Sequence, residues 1–159
     1  FDATEYFIKK GCRRIAFIGG TKKLFVTQDR LTGYQQALKQ YQLPIDPQHT
    51  FFADEFLEKK GYKFAKQLFK NDPQIDAVIT TDSLLAEGVC AYIHQQEKNV
   101  PVLSFDSINP KLDLIAYVDI NSLELGRTSF ETILQIINDN KNSKQICYRQ
   151  LIPHQIVEK

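Results

Sequence analysis

CRRIAFIGGTKKLFVTQDRLTGYQQAL, residues Cys12 to Leu38, is the stretch whose reading decides the fold. Within it, Arg14-Ile15-Ala16-Phe17-Ile18 is a short apolar run of the kind that a parallel sheet buries on both faces. Gly19-Gly20 ends the run and lets the backbone bend, or approach a ligand, without a Cβ in the way. Beyond a polar turn, Leu31, Tyr34, Ala37 and Leu38 recur at helical spacing. They predict a helix over 30–42, with Asp29 and Arg30 at its first turn and Pro44 as its stop. Strand, turn and helix together make one unit of an α/β protein.

The rest of the chain reads as further copies of that unit. Residues 4–10 form a short amphipathic helix through Tyr6, Phe7 and Ile8, stopped at Gly11. Thr50 to Asp54 reads as a second strand. A helix over 58–70 follows, with Phe64, Ala65, Leu68 and Phe69 on one side and Lys59, Lys63, Lys66 and Lys70 on the other. Asn71-Asp72-Pro73 breaks it. Residues 77–80 give a third strand, and 82–96 a helix expected to bury Leu85, Val89, Ala91, Tyr92 and Ile93. Residues 100–105 and 115–118 are the fourth and fifth strands. A long helix over 122–140 precedes an extended segment, 146–157, broken at Pro153. Alternation of this kind specifies an α/β fold: a parallel sheet flanked by helices and joined by right-handed crossovers.

Composition removes several classes of function. The 159 residues, 43% apolar and 25% charged, suffice for one compact domain with a real core. A net charge of +1 gives no whole-chain attraction to nucleic acid, and the lysine row on the helix over 58–70 reads as a solvated face. No apolar run approaches a membrane span. Cys12, Cys90 and Cys147 form no CxxC pair, and His49, His94 and His154 have no metal-ligand spacing. A disulfide scaffold and a zinc site are therefore disfavoured, and a reducing, cytoplasmic setting is expected. The chain has no Met and begins inside a predicted helix, so it reads as a fragment. No GxGxxG follows the first strand, and neither GxxxxGK[ST] nor GxSxG occurs. A receiver-type phosphoacceptor domain needs an acidic pair where Gly19-Gly20 stands. No enzyme activity and no cofactor are expected.

In open parallel sheets, ligands bind outside the carboxyl ends of the strands. Here those ends read Gly19-Gly20, Asp54-Glu55-Phe56, Thr81-Asp82, Asp106-Ser107 and Asp119 to Asn121. Carboxylates, the Arg30 guanidinium and the Phe56 ring suit a polyhydroxylated ligand, whose hydroxyls donate to carboxylates and accept from arginine. Each residue also has a plainer reading. Asp82 can serve as an N-cap, Asp106 as a turn residue, Arg30 as a surface ion-pair partner and Phe56 as a core residue.

Segments GCRRIAFIGG (Gly11–Gly20) and DRLTGYQQAL (Asp29–Leu38) resemble the effector-binding domain of LacI/GalR-family transcriptional regulators. Gly61-Tyr62, Thr81 to Gly88, Ser104-Phe105-Asp106, Asp119 to Gly126 and Leu151-Ile152-Pro153 follow in the family's order. The resemblance implies a fold like that of periplasmic sugar-binding proteins, with an effector between two subdomains and a homodimer. Operator DNA would be bound only through an N-terminal helix-turn-helix domain absent from this chain. Residues 1–120 would be the C-terminal subdomain, 121–147 a crossover segment belonging to the other subdomain, and 148–159 the return.

The resemblance casts Arg30 and Asp106 as effector contacts, Phe56 as an aromatic against the ligand, and Thr81-Asp82 as a variant of the usual Asn-Asp pair. Ile120 and Ser122 take hinge positions, Cys12 replaces a common His, and Glu158 stands where an Arg is frequent. The effector it implies is a sugar or sugar phosphate, with no membrane partner. A periplasmic sugar-binding protein of a transport system is the alternative reading, and a doubly wound enzyme the third. Leu123, Phe130, Ile133, Leu134 and Ile137 would lack the cover of the absent subdomain, which predicts self-association of this chain or refolding of the helix.

Overall fold

The apolar periodicities resolve into six strands and five α-helices in the computed structural model, which describes residues 1–106, 109, 112–140 and 150–159. In chain order they are α1 (Asp2–Lys9), β1 (Ile15–Gly19), α2 (Phe25–Gln40), β2 (Thr50–Phe52), α3 (Glu58–Asn71), β3 (Ala77–Thr80), α4 (Ser83–Gln95), β4 (Val102–Phe105), β5 (Ala116–Asp119), α5 (Ser122–Asn140) and β6 (Gln155–Glu158). A short 3-10 turn, Pro47–His49, leads into β2. The expected segments at 146–149, together with Ser107, Pro110 and Cys147, lie outside the described residues.

Two expectations change. Helix α2 begins at Phe25, so Arg30 sits in its second turn rather than its first. The added turn carried no periodic signal because Phe25 and Val26 face solvent, at 82% and 46% exposure. Ala91, expected in the core, is exposed. Among the described residues of the expected extended segment, the strand is Gln155–Glu158, beyond the break at Pro153.

All residues of β1 and β3 are buried, as strands covered on both faces must be. The sheet order is β2-β1-β3-β4-β5-β6, and the pairs from β2 through β5 are parallel. Ile15 stands opposite Ala77 and Ile18 opposite Thr80. Alternation along the strands divides two layers. Phe17 packs its ring 5.4 Å from that of Tyr34 on α2. Ala16, Ile18, Val78 and Val102 instead join Ala65, Leu68, Leu85 and Val89 from α3 and α4. Helices α3 and α4 touch backbone to backbone: a Cβ on Gly88 would stand 1.9 Å from the Glu58 carbonyl oxygen. The first compact unit is residues 1–118 with 156–159. Within it Glu158 accepts from the Tyr6 hydroxyl and pairs with Lys10, at 2.9 and 2.8 Å.

A second unit, residues 119–155, is built on α5. Thr132 Oγ1 lies 3.2 Å from Gln150 Oε1, and a hollow of about 280 Å³ opens between Leu125, Thr132, Ile133 and Ile152. Leu123, Phe130, Ile133, Leu134 and Ile137 are between 46% and 87% exposed, an apolar stripe of the kind a protein surface rarely leaves open.

Charged groups close the amino edge of β1. Asp76 accepts from the backbone N–H groups of Arg13 and Arg14, at 2.7 and 2.9 Å. Asp72 accepts from Arg14 Nε at 2.9 Å and faces His49 Nε2 at 2.9 Å. Burial pushes the Asp72 carboxyl up, but Arg14, the Gln74 N–H and His49 outweigh it and hold it below its ordinary value. A carboxylate shifted in that direction stabilises the fold above its unfolded-state pKa, and the contribution fades as pH falls through the folded one. Asp72→Asn should therefore lower Tm at pH 7, with the gap to the parent protein shrinking as the melting buffer is taken below about pH 4.

Thr80 Oγ1 is fully buried and has no hydrogen-bond partner among the described residues. Removing an unsatisfied buried hydroxyl relieves a desolvation cost, so Thr80→Val should raise Tm by roughly 2–4 °C, about 1 kcal/mol. A lower Tm in calorimetry would show that the hydroxyl is paired.

Candidate functional site

Strand order places a topological switch point between β1 and β3: the chain leaves β1 for β2 on one side and returns to β3 on the other. Loops diverge there and leave a crevice at the carboxyl edge. The crevice is bordered by Gly20 after β1 and Thr81-Asp82 after β3, with Phe105-Asp106 at the end of the next strand, β4.

Thr81 is the fixed point of this edge. Its N–H donates to the Ile18 carbonyl at 3.1 Å, extending the β1–β3 ladder one residue past β3. Its hydroxyl accepts from the Gly20 N–H at 3.0 Å and lies 3.4 Å from Asp82 Oδ2. Its carbonyl accepts from Arg30 Nη1 at 2.6 Å. Only 3% exposed, Thr81 is turned inward. The structure thus places this expected contact beneath the site, with its hydroxyl engaged by protein.

Arg30 reaches the edge from the second turn of α2. Its guanidinium carbon stands 4.1 Å from the centre of the Phe105 ring, within cation–π range. Burial lowers the guanidinium pKa from its ordinary value, while the negative charges of Asp106 and Asp82 oppose that shift. Asp106 has φ of +68°, a left-handed conformation that Asp tolerates better than most residues. Its N–H donates to the Val118 carbonyl at 3.1 Å, which fixes the residue between β4 and β5. Arg30 and Asp106 are both half-buried.

Asp82 is the N-cap of α4, its Oδ1 accepting from the Leu85 N–H at 2.9 Å. Burial pushes its carboxyl up; the Leu85 and Leu84 N–H groups, the Thr81 hydroxyl and the charge of Arg30 act against burial. Phe56 is 38% exposed, and its inner edge rests on Gly20, where a Cβ would stand 2.2 Å from Cε1. Asp54 pairs with Lys60 at 2.6 Å, and Asp119 accepts from the Asn121 N–H at 2.8 Å. Ile120 and Ser122 belong to the second unit.

One participant carried no usable signal in the sequence, and a second was legible only in part. Phe105 reads as one more strand residue, and only its place before Asp106 marks it. Gly20 is legible as a glycine that admits a close approach, but its close neighbour is the Phe56 ring, which the sequence does not indicate. A larger hollow, of about 580 Å³, lies at the amino ends of β4 and β5, lined by Cys90, His94, Lys98, Asp113 and Lys159 among others. It stands away from the strand ends where parallel sheets hold ligands, and burial pushes the Cys90 thiol up to about 12. Among the described residues, no His, Cys, Asp and Glu group could hold a metal, and no helix is long and apolar enough to cross a membrane.

Comparison with known proteins adds independent findings. The family described as periplasmic binding protein-like domain matches residues 4–158. HTH-type transcriptional regulator MalR of Streptococcus pneumoniae is 79% identical over 159 residues, which are 100% of this chain and 48% of the regulator. The ribose operon repressor of Haemophilus influenzae is 30% identical over 94% of this chain and 46% of its own length. The chain spans about half the length of the curated relatives it matches. A LacI transcriptional regulator from Bacillus cereus subsp. cytotoxis superposes with a TM-score of 0.88 at 26% identity, over 99% of this chain and 57% of that one. These relatives are transcriptional regulators, not enzymes.

The capping role of Asp82 can be tested by substitution. Asp82→Ser keeps a capping oxygen and should hold Tm close to that of the parent protein. Asp82→Ala should cost about 1 kcal/mol, the usual loss of an N-cap. Equal destabilisation by both, measured by urea unfolding, would mean that the cap is not what Asp82 contributes.

Proposed function

The chain belongs to the periplasmic binding protein-like domain family, and from that premise we propose that it is the C-terminal effector-binding part of a LacI-type transcriptional regulator. The observation that carries the reading is the carboxyl edge itself: the Arg30 guanidinium, held by the Thr81 carbonyl and the Phe105 face, beside Asp106 and the outward face of Phe56. Such a surface recognises a sugar. Hydroxyl groups donate to Asp106 and accept from Arg30, and the apolar face of a pyranose ring stacks on Phe56. Arg30 is the first contact, Asp106 the second and Phe56 the platform, while Asp82 and Thr81 support them from behind. A sugar phosphate is a poorer fit, because two carboxylates already stand in the field of the one guanidinium.

In this reading the remaining half of the protein supplies the opposite wall of the cleft and covers the apolar stripe on α5. It also carries the helix-turn-helix head that binds operator DNA as a homodimer. The effector then acts by population shift: it binds one arrangement of the two walls better than the other, and the DNA-binding heads follow that arrangement. The regulators among the curated relatives support this reading over a transport role, and a cytoplasmic location goes with it.

The test is a thermal-shift screen of the full-length protein against maltose, cellobiose, ribose and glucose 6-phosphate. A neutral sugar should raise Tm in a concentration-dependent way. Arg30→Ala should weaken binding of that sugar by roughly tenfold to a hundredfold, the worth of a charge-assisted hydrogen bond, and should lower the unliganded Tm modestly because the Thr81 carbonyl loses its donor. If none of the four stabilises the protein, or if Arg30→Ala binds as well as the parent, the site assignment fails.

A further inference from the structure

We propose that the Thr81 hydroxyl is a positioning group: by fixing Gly20 it seats the Phe56 ring at the carboxyl edge. Thr81 itself is almost inaccessible, at 3% exposure, and each of its polar groups has a protein partner. The hydrogen bond from Gly20 N–H to Thr81 Oγ1, 3.0 Å long, is buried and joins the loop after β1 to the loop after β3. Gly20 is in turn the seat of the ring. A Cβ there would stand 2.2, 2.3 and 3.2 Å from Phe56 Cε1, Cζ and Cδ1, so the ring occupies the space that any other residue would fill.

The chain of contacts runs in one direction. Thr81 is set by the sheet, through its N–H on Ile18; Gly20 is set by Thr81; Phe56 is set by Gly20. Phe56 comes from the loop between β2 and α3, and its 38% exposure leaves an outer face free to meet a ligand. Threonine suits the post because its β-branched side chain is stiff about χ1, so the hydroxyl is held where the glycine N–H needs it. Without that hydroxyl the Gly20 N–H becomes a buried donor with no acceptor, and the loop has reason to move toward water. The ligand consequence rests on the effector reading above, whereas the seating of the ring does not.

The experiment uses full-length protein with 4-fluorophenylalanine placed at position 56 and read by fluorine NMR. Thr81→Val keeps shape and branching and removes only the hydroxyl. It should shift, broaden or split the Phe56 resonance in the absence of any ligand. Gly20→Ala should do the same by displacing the ring directly, and Thr81→Ser, which restores a hydroxyl, should reproduce the parent spectrum. With the neutral sugar that gives the largest thermal shift among maltose, cellobiose and ribose, Thr81→Val should bind about tenfold more weakly and Thr81→Ser about as well as the parent. An unchanged, single Phe56 resonance in Thr81→Val overturns the proposal, as does a Thr81→Ser spectrum that matches Thr81→Val. Should Thr81→Val not fold, Thr81→Cys, a weak acceptor of similar size, takes its place with the same expectations. If no sugar binds the parent protein, the effector reading falls while the fluorine spectra still decide whether Thr81 seats the ring.

Discussion

The parallel ladder between β1 and β3 is the constraint on which the rest of the molecule depends. These strands are neighbours in space and not in sequence, since β2 lies on the far side of β1. Their carboxyl ends therefore face a crevice that no connection crosses. The ladder runs one residue beyond the end of β3, with Thr81 N–H on the Ile18 carbonyl. That extra rung fixes Thr81 as firmly as a strand residue while leaving its carbonyl and hydroxyl to point away from the sheet. Arg30, Gly20 and Asp82 are then arranged around a point that the sheet has already set.

Thr80 and Thr81 show how little residue type decides by itself. They are adjacent and both buried, yet strand alternation turns successive side chains to opposite faces. Thr80 shares its side of β3 with Val78, which packs into the apolar layer under α3 and α4, and its hydroxyl finds no partner among the described residues. Thr81 turns toward the loops and meets a backbone donor and a carboxylate. One hydroxyl is a burden to the core and the other a fastening of the site, from identical chemistry placed one residue apart.

Most of the fold was legible because burial leaves a pattern. The doubly covered strands are unbroken apolar runs, α3 separates lysines from Phe64, Leu68 and Phe69, and helix stops fall at Pro44 and Asn71-Asp72-Pro73. The start of α2 was hidden because Phe25 and Val26 are apolar and exposed, which breaks the rule that the periodicity relies on. The site was legible only as a set of candidates. Arg30 and Asp106 could be named from strand ends and resemblance, but that Thr81 lies beneath the site, and that Phe105 lies under Arg30, depends on which way side chains turn at the end of a strand. A strand buried on both faces, as β3 is, shows no apolar–polar alternation, so its sequence does not mark which face each side chain takes.

An arginine at this edge would be costly if it were merely half-buried, because removing charge from water disfavours the ionised form. Three features offset that cost before any ligand arrives: a carbonyl that accepts one N–H, an aromatic face beneath the planar group, and two carboxylates in its field. The carbonyl and the ring also limit the freedom of the guanidinium, which is bonded at one corner and lies over the Phe105 ring. Five donors in a rigid fork, with one committed to Thr81, leave the others aimed in directions set by the sheet. Burial still outweighs the two carboxylates in its effect on the guanidinium, so the charge is compensated in part while the geometry is kept. Such an edge offers donors on the Arg30 fork and acceptors on the carboxylates side by side, and the proposed neutral polyol uses both kinds at once, whereas an anion would meet Asp106 and Asp82 as like charges.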